Sequence, residues 1–219
     1  MNEQTSTWTF AMIDLAGFTA LTESHGDEHA ADLAVSFADM ATRHLGPKDR
    51  LVKTIGDAVL LAAQDVPAGL KLVRSIFDSC YEIDGYPVAR AGIHHGSAVI
   101  RGGDMFGAAI NLTARVAAQA GGGKVLATTE VAEEARRQGL PVKALGAVDL
   151  RNVSESVELF ELSLFDAPDE GVVDPVCRMH LTKSRATGTL QHHEVDFWFC
   201  SLQCASEFAK NPDRFVQAR

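Results

Sequence analysis

What the chain has little of bounds it first. No apolar run is long enough to cross a bilayer. The longest, Ala58–Ala63, falls far short of the roughly 20 residues a spanning helix needs. The opening residues, Met1 to Thr9, are polar and lack a basic start followed by an apolar stretch, so no secretion signal is read there. Positive charge is scarce: 20 Lys and Arg against 29 Asp and Glu leave a net charge of −9. That argues against non-specific nucleic-acid binding and against docking on an anionic membrane. It does not exclude an anionic substrate, because a divalent cation and a few local cations set the field inside a site. There is no internal repeat and no low-complexity tract. Cysteine is limited to four residues. The expectation is a soluble, cytoplasmic protein whose thiols stay reduced, so that clustered cysteines mean metal or redox chemistry before disulfides.

The 219 residues, 46% of them hydrophobic, suit one medium domain with a proper core plus something small. Trp8–Ile13 reads as a strand, and residues 26–45 as a helix with Leu33, Phe37, Met40, Ala41 and Leu45 at helical spacing. Leu51–Thr54 and Ala58–Ala63 read as a hairpin turning at Gly56-Asp57. Pro67 opens a helix with Leu70, Val73, Ile76, Phe77 and Cys80 on its apolar stripe, which makes Cys80 a core residue. Two short strands are expected on either side of His95-Gly96, and no role is assigned to His94 or His95. A helix over Phe106–Ala120 ends at a run of three glycines. A strand over Lys124–Thr128, a helix over Glu130–Gln138, and strands over Val142–Val148 and Val157–Leu164 complete the pattern. Strands and helices alternating around hairpins predict an α+β fold of the ferredoxin-like kind, a mostly antiparallel central sheet with helices. Residues 166–172 read as a polar linker with Pro and Gly. Beyond it the composition shifts: three of the four cysteines and three of the eight histidines follow Val173. The boundaries expected are 1–165, a linker at 166–172, and a small cysteine-containing α+β module at 173–219.

Six polar residues in the larger segment form a chemical set: Asp14, Lys53, Asp57, Asp104, Asn111 and Arg115. Asp14 follows an apolar strand and Asp57 lies in a hairpin turn, places where carboxylates are held rigidly. Two carboxylates suit two Mg²⁺ or Mn²⁺ ions, which take a few oxygen ligands and leave the rest to water and phosphate. Asn111 and Arg115, four apart on a predicted helix, share a face. An arginine fork suits charge developing on a phosphoryl group. Lys53 and Asp104 supply a donor and an acceptor that match N1 and the amino group of adenine, a pattern guanine reverses.

These stretches resemble the class III nucleotidyl cyclases over roughly Trp8 to Leu162. F-A-M-I-D-L-A-G-F-T is similar to that family's first metal-aspartate segment. K-T-I-G-D is similar to its base-reading lysine and second metal aspartate. G-I-H-H-G and F-G-A-A-I-N-L-T-A-R are similar to the strand and helix carrying its asparagine and arginine. L-R-N-V-S-E-S-V-E-L-F-E-L is similar to its closing strand pair, where Arg151 is the nearest candidate for the family's triphosphate lysine. The resemblance implies a homodimer with two sites at the interface. Asp14 and Asp57 would come from one chain, and Lys53, Asp104, Asn111 and Arg115 from the other. It implies conversion of ATP to 3′,5′-cyclic AMP and pyrophosphate with two Mg²⁺ or Mn²⁺ per site. The rivals are a guanylate cyclase and a catalytically silent, metal-responsive nucleotide-binding dimer.

The tail resembles the YHS domain. The residues concerned are Asp174 to Met179 around Cys177, the Phe197–Cys204 stretch with Cys200 and Cys204, then Phe208 and Pro212 to Phe215. That module is linked to heavy-metal handling, and the glycine that commonly follows its first cysteine is here Arg178. Cys200 and Cys204, at i and i+4, would share a helix face, with Cys177 approaching from a hairpin. Three thiolates suit Zn²⁺ or Cu⁺. The fourth ligand is left open among His180, His192, His193 and Asp174. A metal would add folding energy to so small a unit, and the module is expected to bias the geometry of the dimer.

Overall fold

The computed structural model describes residues 4–165 and 171–216. The larger part is built on one sheet. Strand β1 (Gln4–Leu15) leads to helices α1 (Phe18–His25) and α2 (Asp27–Arg43), followed by β2 (Arg50–Ile55), β3 (Ala58–Ala63) and α3 (Val66–Glu82). Next come β4 (Ala89–Arg101), β5 (Asp104–Phe106) and α4 (Ala108–Gln119). Then come β6 (Val125–Thr128), α5 (Thr129–Arg137), β7 (Val142–Val148) and β8 (Val157–Leu162). The strand order is β2-β3-β1-β4-β6-β8-β7, with β5 folded back on β4. All pairs are antiparallel except β4 with β6. The first four strands have the ferredoxin-like order, so the expected fold class holds.

The central strands are buried on both faces, and the side-chain period of two assigns each of their residues to a layer. Ala11, Ile13, Leu15, Val59 and Leu61 face one core with Phe37, Val73, Ile76 and Phe77. Phe10, Met12, Leu60 and Ala62 face the other, with Met105, Ala109 and Ala117. Each fully buried Phe, Ile or Leu here contributes about 1.5–3 kcal/mol. Helix α3 starts where Asp65 accepts a hydrogen bond from the Ala68 amide at 2.9 Å, with Pro67 in its first turn. Cys80 lies in the first core, where burial pushes its thiol up to about 12.

One local expectation is corrected. The chain does not turn at His95-Gly96: β4 runs unbroken from Ala89 to Arg101, and the turn comes at Gly102-Gly103. The glycines inside β4 serve the helix instead. A Cβ on Gly92 would collide with the Ala117 backbone of α4, and one on Gly96 would lie 2.8 Å from the Ala109 methyl. A second difference is α1, an eight-residue helix with only Leu21 buried, too weakly patterned to read from sequence. Among the described residues no helix is long and apolar enough to cross a membrane.

The small module pairs β9 (Gly171–Val173) with β10 (His180–Thr182), and β11 (Gly188–His192) with β12 (Val195–Phe199), and closes with α6 (Leu202–Lys210). Of the expected linker, residues 166–170 lie outside the described residues. The module is stitched to the α3–β4 connection. The amide of Gly85 donates to the His180 carbonyl at 2.7 Å, that of His180 to Tyr86 at 2.8 Å, and that of Val88 to Arg178 at 3.0 Å. The Thr182 amide donates to Asp84 at 2.7 Å. Its apolar core also takes in Leu21 and Ala30 from α1 and α2, beside Phe199, Cys204 and Phe208.

Candidate active site and a thiol cluster

Asp14 is the penultimate residue of β1. The register sets it opposite Ala58 on one side and Arg90 on the other. Asp57 follows Gly56, whose φ of 60° makes the tight β2–β3 turn. The two carboxylates thus line one cleft of about 380 Å³ with Gly17, Phe18 and Arg90; Arg214, from the small module, lines it too. Arg90 Nε donates to Asp14 Oδ1 at 2.5 Å and Nη2 to Oδ2 at 3.1 Å, while Nη1 reaches the Ala120 carbonyl at 3.3 Å. Burial, and then the charge of Asp14, push the Asp57 carboxyl up, against the pull of backbone amides. Two hard oxygen donors in one cleft fit divalent cations. The sequence reading missed Arg90. The available signal was the alignment of β1 with β4, which sets an arginine directly across from the first aspartate.

Lys53 and Asp104 meet from β2 and β5. Nζ donates to Oδ2 at 3.0 Å, and Asp104 Oδ1 accepts the Met105 amide at 2.7 Å. The lysine holds the Asp104 carboxyl below the usual carboxylate range. Their side chains are 37% and 38% exposed, so the pair is open to a ligand. Asn111 and Arg115 both lie on the exposed side of α4, opposite Ala109, Thr113, Val116 and Ala117, which pack on the sheet. Arg151 is exposed in the β7–β8 connection. None of Lys53, Asp104, Asn111, Arg115 and Arg151 lines the Asp14–Asp57 cleft. Within one chain the predicted set is therefore split. His94 and His95 are tied to Thr128 and Thr9 at 2.9 and 2.8 Å.

In the small module Cys177, Cys200 and Cys204 come together. Sγ of Cys200 is 3.4 Å from that of Cys177 and 3.6 Å from that of Cys204. Cys177 lies between β9 and β10, and Cys200 directly follows β12. Cys204 lies in the first turn of α6, capped by Ser201 at 3.1 Å. Hydrogen bonds from Cys177 and Cys200 hold Cys204 well below the usual thiol range, and Cys177 is held far above it. None of the four residues left open as a fourth ligand joins them. Asp174 is fully buried and its oxygens are used: Oδ1 accepts the amides of Val176 and Cys177 at 2.8 and 3.3 Å, and Oδ2 that of Cys200 at 2.8 Å. It braces both cysteine turns. His192 and His193 gather on Asp213, and His180 stacks edge-on against Tyr81. The residue that does approach is His25, the last of α1: its Nε2 is 3.4 Å from Cys200 Sγ and 3.7 Å from Cys204 Sγ. Arg178 adopts φ 62°, which is why a glycine suits that position, and its stem fills the space over Gly17.

Comparison with known proteins agrees with both halves. The family model of the adenylate and guanylate cyclase catalytic domain matches residues 1–163, and the chain belongs to that family; the YHS domain matches residues 172–219. Among curated relatives, the pH-sensitive adenylate cyclase MT1302 of Mycobacterium tuberculosis is 34% identical over 158 residues, which are 70% of this chain and 40% of that protein. An adenylate cyclase of Streptomyces griseus is 35% identical over 127 residues, 58% of this chain and 32% of that one. The chain thus spans well under half the length of these relatives. A solved adenylate cyclase from Trypanosoma brucei, in its monomeric state, has a TM-score of 0.65 at 23% identity, over 74% of this chain and 91% of that one. The adenylyl cyclase CyaB from P. aeruginosa gives 0.62 at 17%, over 77% and 98%. At these identities the structures establish the fold.

Proposed function

We propose that the chain is an adenylate cyclase that converts ATP to 3′,5′-cyclic AMP and pyrophosphate at the interface of a homodimer. The observation that carries this is the split of the site. One chain brings Asp14 and Asp57 to a cleft, and keeps Lys53–Asp104 and Asn111–Arg115 exposed elsewhere. A twofold axis that sets one chain's cleft against the other chain's exposed groups makes two equal complete sites.

In this reading Asp14 and Asp57 hold two Mg²⁺ or Mn²⁺ ions. The ions supply activation of the ribose 3′-hydroxyl and neutralisation of the leaving pyrophosphate. Lys53 donates to adenine N1 and Asp104 accepts from its amino group. Asn111 orients the ribose, and Arg115 stabilises the charge that grows on the α-phosphate. The 3′-oxygen forms the new bond to the α-phosphorus, the bond to the bridging oxygen breaks, pyrophosphate leaves, and the hydroxyl proton passes to solvent. Arg151 reaches the triphosphate. We place the module boundary in residues 166–172, and read Cys177, Cys200 and Cys204 as ligands of a Zn²⁺ or Cu⁺ ion through which the small module biases the dimer.

Cyclic-nucleotide production from ATP or GTP, with Mn²⁺ or Mg²⁺, tests the core of this. Cyclic AMP from the wild type and none from Asp57→Ala is the expected result. Preferred turnover of GTP establishes a guanylate cyclase instead, and no product with either nucleotide rejects catalysis. Equal rates for metal-free, metal-loaded and tail-deleted protein remove the regulatory part.

A further inference from the structure

The thiol cluster is completed from outside its own module. His25 Nε2, Cys177 Sγ, Cys200 Sγ and Cys204 Sγ all lie within 4.8 Å of one another. A tetrahedral ion with Zn–S of about 2.3 Å and Zn–N of about 2.05 Å has S···S edges near 3.8 Å and S···N edges near 3.5 Å. The observed S···S separations of 3.4 and 3.6 Å and N···S separations of 3.4 and 3.7 Å are already close to those edges. Four donors of this kind leave no position for water, the mark of a structural site rather than a catalytic one. Three thiols and one imidazole select a borderline-soft ion over Mg²⁺ or Ca²⁺. The surroundings are prepared as well: Asp174 fixes the Cys177 and Cys200 backbones, and Leu21 of α1 packs into the same apolar cluster.

We propose that His25 is the fourth ligand of a closed Cys₃His site for zinc. The site clamps the small module onto α1, whose first turn lines the Asp14–Asp57 cleft. This rests on the reading of the three cysteines as ligands, and departs from it in drawing one ligand from the cyclase domain. Helix α1 spans only Phe18 to His25, with Phe18, Thr19, Ala20 and Glu23 on the cleft and His25 on the ion. An ion at one end therefore restrains the other about two turns away. The module also sends Arg214 to the cleft and lays Arg178 across Gly17 at the head of α1. Binding is a ligand exchange without redox change: each thiol still protonated gives its proton to solvent, and the imidazole binds neutral.

The test is a titration of the metal-free full chain with Co²⁺, read by its ligand-field and thiolate charge-transfer bands, followed by displacement with Zn²⁺. One thiolate-bound ion per chain, with a tetrahedral three-thiolate, one-nitrogen spectrum, is expected; any Co²⁺ held by the Asp14 and Asp57 carboxylates adds no thiolate band. His25→Ala should keep its circular dichroism, weaken binding by about tenfold or more, and change the ligand-field bands as water enters. His25→Cys should restore tight binding with a four-thiolate spectrum, and His29→Ala, in α2 with its ring centre 5.6 Å from that of His25, should match the wild type. Hydrogen exchange should show α1 amides protected by Zn²⁺ in the wild type and not in His25→Ala. If His25→Ala binds with the wild-type affinity and spectrum, His25 is no ligand, while the three-cysteine reading survives. If the folded wild type shows no thiolate band with Co²⁺ and no thiol-bound Zn²⁺, both fall. Neither result depends on cyclase activity.

Discussion

Arg90 grips Asp14 with one edge of its guanidinium, Nε and Nη2 at 2.5 and 3.1 Å, from the neighbouring strand. The pair puts a positive charge beside the two carboxylates where they are crowded and partly buried. Its charge works against the burial, and after it the charge of Asp14, that push the Asp57 carboxyl up. Arg90→Ala should lower the stability of the ion-free protein by about 1–2 kcal/mol, less than a fully buried pair because both side chains keep some solvent. Saturating Mn²⁺ should shrink that deficit, since the cation then supplies the missing charge. Thermal unfolding of both proteins, with and without Mn²⁺, measures it. A deficit unchanged by Mn²⁺ would mean that Arg90 does not share the carboxylates with an ion.

The split of the site makes complementation the sharpest check on the dimer. In the proposed dimer Asp57→Ala removes a residue of one half-site and Arg115→Ala a residue of the other, so each variant alone should be inactive. A mixed dimer should then rebuild one intact site, with Asp57 and Arg115 drawn from opposite chains. Random mixing should return about one quarter of wild-type activity per chain. A mixture as inactive as its parts would mean that both residues serve the same site within one chain.

Lys53 and Asp104 are already paired at 3.0 Å, so the base would be read by groups set in place beforehand. Lys53→Ala removes a charged hydrogen bond worth about 1.5–3 kcal/mol, an expected drop of about 10- to 150-fold in kcat/KM for ATP. The loss for GTP should be smaller, because the lysine presents a donor where guanine has its own N–H. Parallel measurement of kcat/KM with both nucleotides decides; equal losses would assign Lys53 to the phosphates or to folding.

The sequence made some of this legible and not the rest, for physical reasons. Asp14, Asp57, Lys53, Asp104, Asn111 and Arg115 are readable because each sits in a local pattern: a strand end, a hairpin turn, one face of a helix. Arg90 is not, because its meaning depends on the β1–β4 register, which pairs residues 76 apart. His25 is harder still. It contacts a cysteine 175 residues away, from a short helix whose single buried residue gives almost no periodic signal. Gly96 misleads in the opposite direction: a glycine beside two histidines resembles a turn, but what requires it is the close approach of Ala109 across the strand.

His180 ties the seam between the modules to pH. Its main chain bonds to Tyr86 and Gly85, while its ring is buried against Tyr81 and Gly171 with neither nitrogen hydrogen-bonded. The nearby charge is Asp84, itself paired with Arg185 at 3.1 Å. Burial lowers the ring's pKa from 6.5, and Asp84 offsets this only in part. The folded state therefore holds the ring neutral at a pH where the unfolded chain protonates it. Stability is fully present above about pH 6.5 and is lost as pH falls from there through the lower folded value. His94, also lowered by burial, adds the same trend. In metal-free protein, the unfolding midpoint of the wild type should fall between about pH 7.5 and about pH 5.5, and His180→Leu should fall less steeply over the same range. Parallel slopes for the two proteins would show that His180 is protonated without loosening the seam, and that the acid sensitivity arises elsewhere.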